Sequence, residues 1–303
     1  MLSIQNSTYH NYYKHNRNSA QCRCSKNIRP TSVEFISPYL IIKRVKIRTA
    51  QALRKVPEIT AVFWITKLLT TAMGEASSDF LVVKINPYIA VSLSSIALAI
   101  ALLLQLSARK YVPWIYWLAV AMVAVFGTMA ADVLHIQFGV PYLLSSIFFA
   151  AVLALVFAAW QVSEKTLSIH SITNRRRELF YWATVLATFA LGTATGDWTA
   201  HSLGLGYFAS GLLFAGIMVV PALGYRLGLG EVFSFWFAYV VTRPFGASFA
   251  DWFGKSRHVG GLGLGDGTVG IALSVFIIVC VGYMSLSRRE SRRERLLHKH
   301  ETS

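Results

Sequence analysis

The chain has 303 residues, of which 54% are hydrophobic and only 14% are charged, and its mean hydropathy is +0.49. Soluble globular domains carry about 25% charged residues, so this composition excludes an ordinary soluble protein. The formal charge of +15 does not indicate nucleic-acid binding, because most Lys and Arg residues lie in the terminal segments and in alternate connections between apolar blocks.

Residues 1–54 are predicted to form a basic tail with little stable structure, because they are rich in Asn, Ser and Arg and lack apolar periodicity. Their layout is not that of a signal peptide, since the short apolar run lies deep in the segment between charges. Cys22 and Cys24 form a C-x-C pair, which alone is a weak metal-binding signal.

Eight apolar blocks follow, each of about twenty residues, which is the length of an α-helix that crosses a hydrocarbon core of about 30 Å. The blocks cover roughly residues 58–82, 88–107, 114–137, 141–161, 179–202, 207–226, 231–253 and 267–286. We therefore expect an all-α fold, a polytopic membrane bundle of eight transmembrane helices. The membrane domain is predicted to span residues 55–286, and residues 287–303 form a basic C-terminal tail.

The distribution of Lys and Arg predicts an orientation. Short connections after even-numbered blocks hold seven of these residues, and the remaining connections hold three. The positive-inside rule places both termini in the cytoplasm, which predicts a multi-pass protein of a bacterial inner membrane. The expected partners are the lipid bilayer, whose anionic headgroups the basic tails contact, and a small ion or solute, with no nucleic acid.

The odd-numbered blocks share a frame without gaps: an aromatic residue, Trp, nine residues, Gly, four residues and Asp. Each is followed by a plainer even-numbered block, so the chain contains four tandem two-helix repeats, at about 55–110, 111–174, 175–230 and 231–286. Two crossings return the chain to the same side, so all four repeats have the same orientation. The anchors are Trp64, Gly74 and Asp79; Trp117, Gly127 and Asp132; Trp182, Gly192 and Asp197; and Trp236, Gly246 and Asp251.

Helical rise converts this spacing into depth. Fifteen residues from Trp to Asp span about 22 Å. The four tryptophans are therefore predicted to anchor the helices at the cytoplasmic interface, and the four aspartates lie at one depth in the outer third of the membrane. A small residue follows each repeat glycine after four positions, which predicts close helix packing at the glycines.

The intramembrane carboxyl groups are the candidate site. A charge at the membrane centre costs at least about 2.5–3.5 kcal/mol and indicates function by default. We expect the four repeat aspartates and Glu75 to bind a cation or protons, with His135 and His201 nearby, and Lys67 and Arg243 to act as counter-charges or gating residues.

Two alternatives concern these carboxyl groups. In a structural role, each aspartate would bond a hydroxyl of the partner helix, such as Ser94 or Ser145. In a functional role, the excess negative charge requires bound protons or a bound cation. Oxygen ligands favour Mg²⁺ or Mn²⁺, and added imidazole favours Mn²⁺, Zn²⁺ or other transition ions. A divalent metal ion is therefore the one cofactor the residues suggest.

Two further features lie near the fourth repeat. Pro244 predicts a kink in the seventh helix. The glycine-rich stretch "SRHVGGLGLGDGT" is predicted to form a flexible outer loop rather than a nucleotide site, because no strand precedes it.

The frame resembles that of a family of bacterial integral membrane proteins built from four tandem copies of a two-helix repeat of unknown function. The resemblance covers residues 55–286, from "KVPEIT" onward, with Trp, Gly and Asp matching in all four copies and "GGLGLGDG" following the fourth. Proteins of this family begin near "KVPE", so the first fifty residues depart from it. The resemblance implies a fold and no substrate.

These observations favour an integral membrane transporter or permease for a small cation, with a divalent metal ion as substrate or with proton coupling. One alternative is a membrane sensor or scaffold subunit without transport; another is a membrane-embedded, metal-dependent enzyme. A small organic or anionic solute is a further alternative substrate. An enzyme is disfavoured, because neither H-E-x-x-H nor G-x-S-x-G occurs in the chain.

Overall fold

The computed structural model describes residues 54–301. The predicted N-terminal tail lies almost entirely outside these residues. Within the described part, eight long α-helices and no strand are present. They are α1 Ala61–Lys84, α2 Pro87–Ser107, α3 Pro113–Asp132, α4 Tyr142–Glu164, α5 Arg175–Asp197, α6 Gly206–Arg226, α7 Glu231–Gly254 and α8 Asp266–Glu301.

Among the described residues, six segments are long and apolar enough to cross a membrane. The helices outside this set, α1 and α7, are 24 residues long but more polar. Four of their charged side chains are buried against other helices and therefore do not face lipid: Lys67, Glu75, Arg243 and Asp251. The chain is therefore an all-α membrane bundle. The six segments are Pro87–Ser107, Pro113–His135, Tyr142–Glu164, Arg175–Ser202, Gly206–Arg226 and Asp266–Glu290.

The eight helices form two concentric layers. Helix α1 packs on α3 and α7, and α5 packs on the same two helices, so the odd-numbered helices close an inner ring. The even-numbered helices lie outside this ring. In the inner helix α5, 72% of the most apolar part of Arg175–Ser202 is buried, whereas in the outer helix α2 only 22% of the corresponding part of Pro87–Ser107 is buried.

Each outer helix packs mainly against the inner helix of the next repeat. Thus α2 covers α3, α4 covers α5 and α6 covers α7. The last outer helix, α8, returns to cover α1. This staggered packing ties every repeat to its successor and closes the ring.

The repeat glycines lie where inner helices touch. A Cβ atom added at any of the four would overlap the next inner helix, so only glycine allows this approach. The four positions therefore set the spacing of the inner ring. The contacts are Gly74 with Ala124, Gly127 with Phe189, Gly192 with Arg243, and Gly246 with Thr71.

Three of the four tryptophans that were expected to anchor the helices at the interface lie inside the bundle. Trp117, Trp182 and Trp236 are only 2%, 4% and 5% exposed, so the prediction that they contact headgroups is wrong. Fifteen residues advance a helix by about 1500°, within about 60° of whole turns, so Trp shares a face with Asp. The face that turns Asp inward also turns Trp inward. There Trp117 and Trp182 both pack against Tyr116, and Trp182 and Trp236 both pack against Tyr181.

A buried ion pair closes the bundle at the end opposite the aspartates. The Lys55 ammonium lies 2.6 Å from a Glu178 carboxylate oxygen, and the Gln105 amide donates to the other oxygen at 2.9 Å. The Lys55 backbone N–H also donates to Ile172. The residues that lead into α1 are thereby joined to α2 and α5.

The ends of α3 and α5 share a local feature. Each helix continues directly from its repeat aspartate into a five-residue π-helical turn, Val133–Gln137 and Trp198–Ser202. Such turns change the angle between successive side chains and are frequent at functional sites. Helix α7, in contrast, runs through Pro244 without interruption from Glu231 to Gly254.

Candidate functional site

One cavity collects the acidic residues of all four repeats. It has a volume of about 270 Å³ and lies at the C-terminal ends of the inner helices. Its lining consists of Glu75, Asp79, Val82, Val83, Asp132, Asp197, His201, Tyr207, Asp251 and Lys255. The convergence follows from the repeat, because equivalent positions on equivalent inner helices face the same axis at the same depth.

The aspartates are not bound to hydroxyls of the outer helices. Ser94 donates to the Val91 carbonyl at 2.9 Å, and Ser145 donates to the Tyr142 carbonyl at 3.0 Å. Within the described residues, the carboxyl groups of Asp132 and Asp197 have neither a hydrogen-bond nor a salt-bridge partner. Their environment gives no support to the structural alternative.

Three carboxyl groups have a geometry that suits a metal ion. Glu75, Asp79 and Asp251 each offer an oxygen, and these oxygens lie within 4.8 Å of one another. Hard cations such as Mg²⁺, Ca²⁺ and Mn²⁺ prefer such oxygen ligands at about 2.0–2.6 Å. The three residues could therefore hold one such ion between them.

Lys255 is a site residue that the sequence analysis did not identify. It caps the C-terminus of α7, and its ammonium lies 2.5 Å from Asp79, 3.5 Å from Asp266 and 3.9 Å from Asp251. Partial burial acts to lower the pKa of Lys255, but the three carboxylates outweigh it and raise the pKa above its usual value. The ammonium is therefore charged at physiological pH. The signal in the sequence was its i,i+4 spacing from Asp251.

A buried polar layer forms the floor of the cavity. The Arg243 side chain is fully buried and donates to a Glu75 carboxylate oxygen and to the Thr193 hydroxyl, both at 2.9 Å. It also donates to the Thr128 hydroxyl and, at 3.3 Å, to the Thr71 carbonyl. We call these five residues the Arg243 layer. It joins all four inner helices.

The Arg243 layer has a repeat origin. The residue after the repeat glycine is Glu75, Thr128, Thr193 or Ala247. The first repeat thus carries a carboxylate where the next two carry hydroxyl groups. Arg243 from the fourth repeat reaches all three of these polar residues. The four repeats therefore differ in this layer, because the first and the fourth supply an ion pair and the other two supply hydroxyl groups.

Lys67 does not reach the cavity. It is 1% exposed, and its nitrogen has no hydrogen-bond partner among the described residues. It lies 3.7 Å from the ring centroid of Tyr239 and 5.4 Å from that of Phe189. Its eight-residue separation from Glu75 places it about 12 Å nearer the N-terminal end of α1.

The two predicted histidines differ. His201 lines the cavity. His135 has no contact with Asp132; its ring nitrogens lie 3.1 Å from the Val140 carbonyl oxygen and 3.3 Å from the Ser145 hydroxyl. The Tyr142 ring lies between the two imidazoles.

The glycine-rich connection is held by backbone hydrogen bonds. Leu262 donates to the Trp252 carbonyl at 2.6 Å, and Gly263 donates to the Lys255 carbonyl at 2.8 Å. Gly260 and Gly263 have φ of +89° and +81°, a region that favours glycine. The connection folds back over the end of α7 and brings Asp266 to Lys255.

The fold and the site define an all-α membrane protein whose four tandem two-helix repeats enclose an acidic cavity. The chain matches the family model described as Repeat of Unknown Function (DUF347) four times, over residues 62–111, 115–166, 180–227 and 234–290. The protein belongs to this family, and the predicted resemblance is confirmed. No curated protein and no solved structure matches the chain.

Proposed function

We propose that the protein is a membrane transporter or permease for a small cation, with a divalent metal ion as its substrate. The observation that carries this proposal is the acidic cavity, in which one aspartate from each repeat and Glu75 meet. A cavity lined by convergent carboxyl groups inside a helical bundle is a cation site by its chemistry.

The charge balance supports this substrate. Five carboxyl groups face the cavity, and the cations that contact them are Arg243 at the floor and Lys255 at the rim. Unbalanced negative charge is costly in a low-dielectric interior. A bound cation, or protons carried on the carboxyl groups, restores the balance, which links cation binding to proton release.

The Arg243 layer supports a transporter rather than an open channel. It occupies the centre of the inner ring beneath the cavity, and the aromatic cluster with Trp117, Trp182 and Trp236 fills the ring beyond it. The cavity is thus blocked toward one side. Transporters built from repeats expose a central site to one side at a time.

We place the cavity on the outer side of a bacterial inner membrane, with both termini in the cytoplasm. The support is the excess of Lys and Arg in the connections at the opposite end of the bundle. On this orientation, the state described here is open outward and closed inward.

Uptake into proteoliposomes tests the proposal. Asp132→Asn and Asp197→Asn each remove a negative charge from the cavity with little change in shape. Each is expected to lower Mn²⁺ uptake about tenfold or more, which corresponds to about 1.4 kcal/mol.

The matched control is Glu231→Gln, because that side chain is 63% exposed and lies at the other end of α7. It should leave uptake unchanged. Uptake that is equal in the wild type and in both Asp variants, in protein that elutes as a single folded species, would refute the proposal. Absence of uptake of Mn²⁺, Mg²⁺ and Zn²⁺ by the wild type would refute it as well.

A further inference from the structure

We infer that the Lys255 ammonium is a tethered competitor for the cation site, so that a cation binds fully only when it displaces this side chain toward Asp266. The inference rests on the proposed function and concerns the regulation of the same site. It makes Lys255 a determinant of cation affinity rather than a fixed structural contact.

The competition follows from shared ligands. Lys255 lies 2.5 Å from Asp79 and 3.9 Å from Asp251. The same two residues, with Glu75, form the one group of three in the described chain whose oxygens could hold a metal ion. An ammonium and a metal ion cannot use the same oxygens together, and their like charges repel.

The cavity also holds carboxyl groups that Lys255 leaves unsatisfied. Asp251 is 6% exposed, and no donor among the described residues hydrogen-bonds its carboxylate, since Lys255 is 3.9 Å away. Asp132 and Asp197 line the same cavity without a hydrogen-bond or salt-bridge partner in the described chain. One ammonium therefore neutralises the rim of the site and leaves the interior acidic.

The space beside Lys255 suits a hydrated ion. A water molecule occupies about 30 Å³ in the liquid, so a cavity of about 270 Å³ has room for a cation with its first shell of waters. Such an ion can approach Asp132 and Asp197 first. Direct contact with Asp79 and Asp251 then requires that Lys255 leave.

Asp266 provides the alternative partner for the displaced ammonium. One of its oxygens lies 3.5 Å from Lys255. The other, Oδ1, is buried and accepts no hydrogen bond from the described residues. Lys255 can exchange Asp79 for this free acceptor by rotation of its own four-carbon side chain. The ammonium keeps a carboxylate partner throughout, which lowers the cost of displacement.

The glycine-rich connection links Lys255 to its alternative partner, Asp266. The Lys255 carbonyl accepts the Gly263 N–H at 2.8 Å, and the connection ends at Asp266, the first residue of α8. Helix α8 packs on α1, which carries Asp79. Movement of Lys255 from Asp79 to Asp266 therefore loosens the contact between α7 and α1 at the mouth of the cavity.

The test is Mn²⁺ binding to the purified full chain in detergent, measured by calorimetry and by the electron paramagnetic resonance signal of free Mn²⁺. Lys255→Met removes the competing charge and is expected to tighten binding about tenfold or more. Lys84→Met is the matched control, because Lys84 is exposed at the end of α1 nearest the cavity but does not line the cavity. It alters net charge equally and should leave affinity within about twofold. Asp266→Asn removes the alternative partner and is expected to weaken binding.

The outcomes separate this inference from the proposed function. If the wild type binds Mn²⁺ and Asp132→Asn weakens binding, while Lys255→Met binds as the wild type does or more weakly, the inference is overturned and the proposed function stands. If neither the wild type nor Lys255→Met binds Mn²⁺, both are overturned. Lys255→Gln, which keeps a polar group at the rim, serves as the second variant should Lys255→Met not fold, and its expected effect has the same direction.

Discussion

Replacement of Arg243 by Met is expected to destabilise the bundle by about 3–5 kcal/mol, the cost of removing one partner from a buried ion pair. Arg243 is fully buried, and Glu75 is 4% exposed at its side chain. The variant leaves the Glu75 carboxylate without its cation and leaves the Thr128 and Thr193 hydroxyls without their shared donor. This loss of unfolding free energy is larger than that of a typical surface substitution, which is about 0.5 kcal/mol or less.

Unfolding in mixed micelles of mild detergent and dodecyl sulfate, followed by far-ultraviolet circular dichroism, measures this free energy. A double-mutant cycle with Glu75→Gln isolates the pair. Because the two side chains touch, their coupling energy is expected to be at least about 1 kcal/mol. Arg226→Met, at an exposed position at the end of α6, is the matched control.

The account of the Arg243 layer fails if Arg243→Met unfolds like Arg226→Met, or if the effects of Arg243→Met and Glu75→Gln are additive. Either outcome would mean that the ion pair does not hold the inner helices together. The blocked inner side of the cavity would then need another explanation.

Two further predictions concern packing at other points of the bundle. Gly74→Ala places a methyl group against Ala124 of the next inner helix and should lower the free energy of unfolding by about 1–3 kcal/mol. Gly216→Ala, whose added methyl group meets open space beside α6, is the control and should be neutral or stabilising by up to about 1 kcal/mol. Thermal melting in detergent compares the two variants, and equal melting temperatures would contradict the contact between the inner helices. Lys55→Met leaves the Glu178 carboxylate buried without its cation and should cost about 3–5 kcal/mol in the same assay; wild-type stability would show that this pair does not secure the opposite end.

The helices and their arrangement could be predicted largely from the sequence. The second block was expected at 88–107 and the helix covers Pro87–Ser107; the seventh was expected at 231–253 and the helix covers Glu231–Gly254. Long apolar blocks fix helix position because a membrane-spanning helix must satisfy its own backbone. A frame repeated at constant spacing then brings equivalent side chains to one axis, which is why the aspartates meet.

The tryptophans show that depth along a helix does not determine which face a residue occupies. The rise along the helix axis predicts that they lie at the level of the headgroups. The angle around the axis decides which face they occupy, and it places them on the aspartate face. Depth and angle have to be read together in a repeat of this kind.

The remaining site residues depend on tertiary contacts that no local pattern reveals. Arg243 and Glu75 are 168 positions apart, and Lys255 and Asp79 are 176 apart. Both pairs form because α7 closes the ring onto α1. His135 and His201 both lie in π-helical turns that follow a repeat aspartate. Only His201 lines the cavity, and the contacts that hold His135 elsewhere, with Val140 and Ser145, are tertiary as well.

The central claim is that the aspartates of the four repeats form one cation site. An anomalous difference map from crystals of the full chain soaked in Mn²⁺, recorded at the manganese edge, tests it most directly. The account predicts a peak inside the cavity, within coordination distance, about 2.0–2.6 Å, of carboxylate oxygens or one water further away. Peaks only at the protein surface, with the cavity free of manganese at concentrations that support transport, would contradict it.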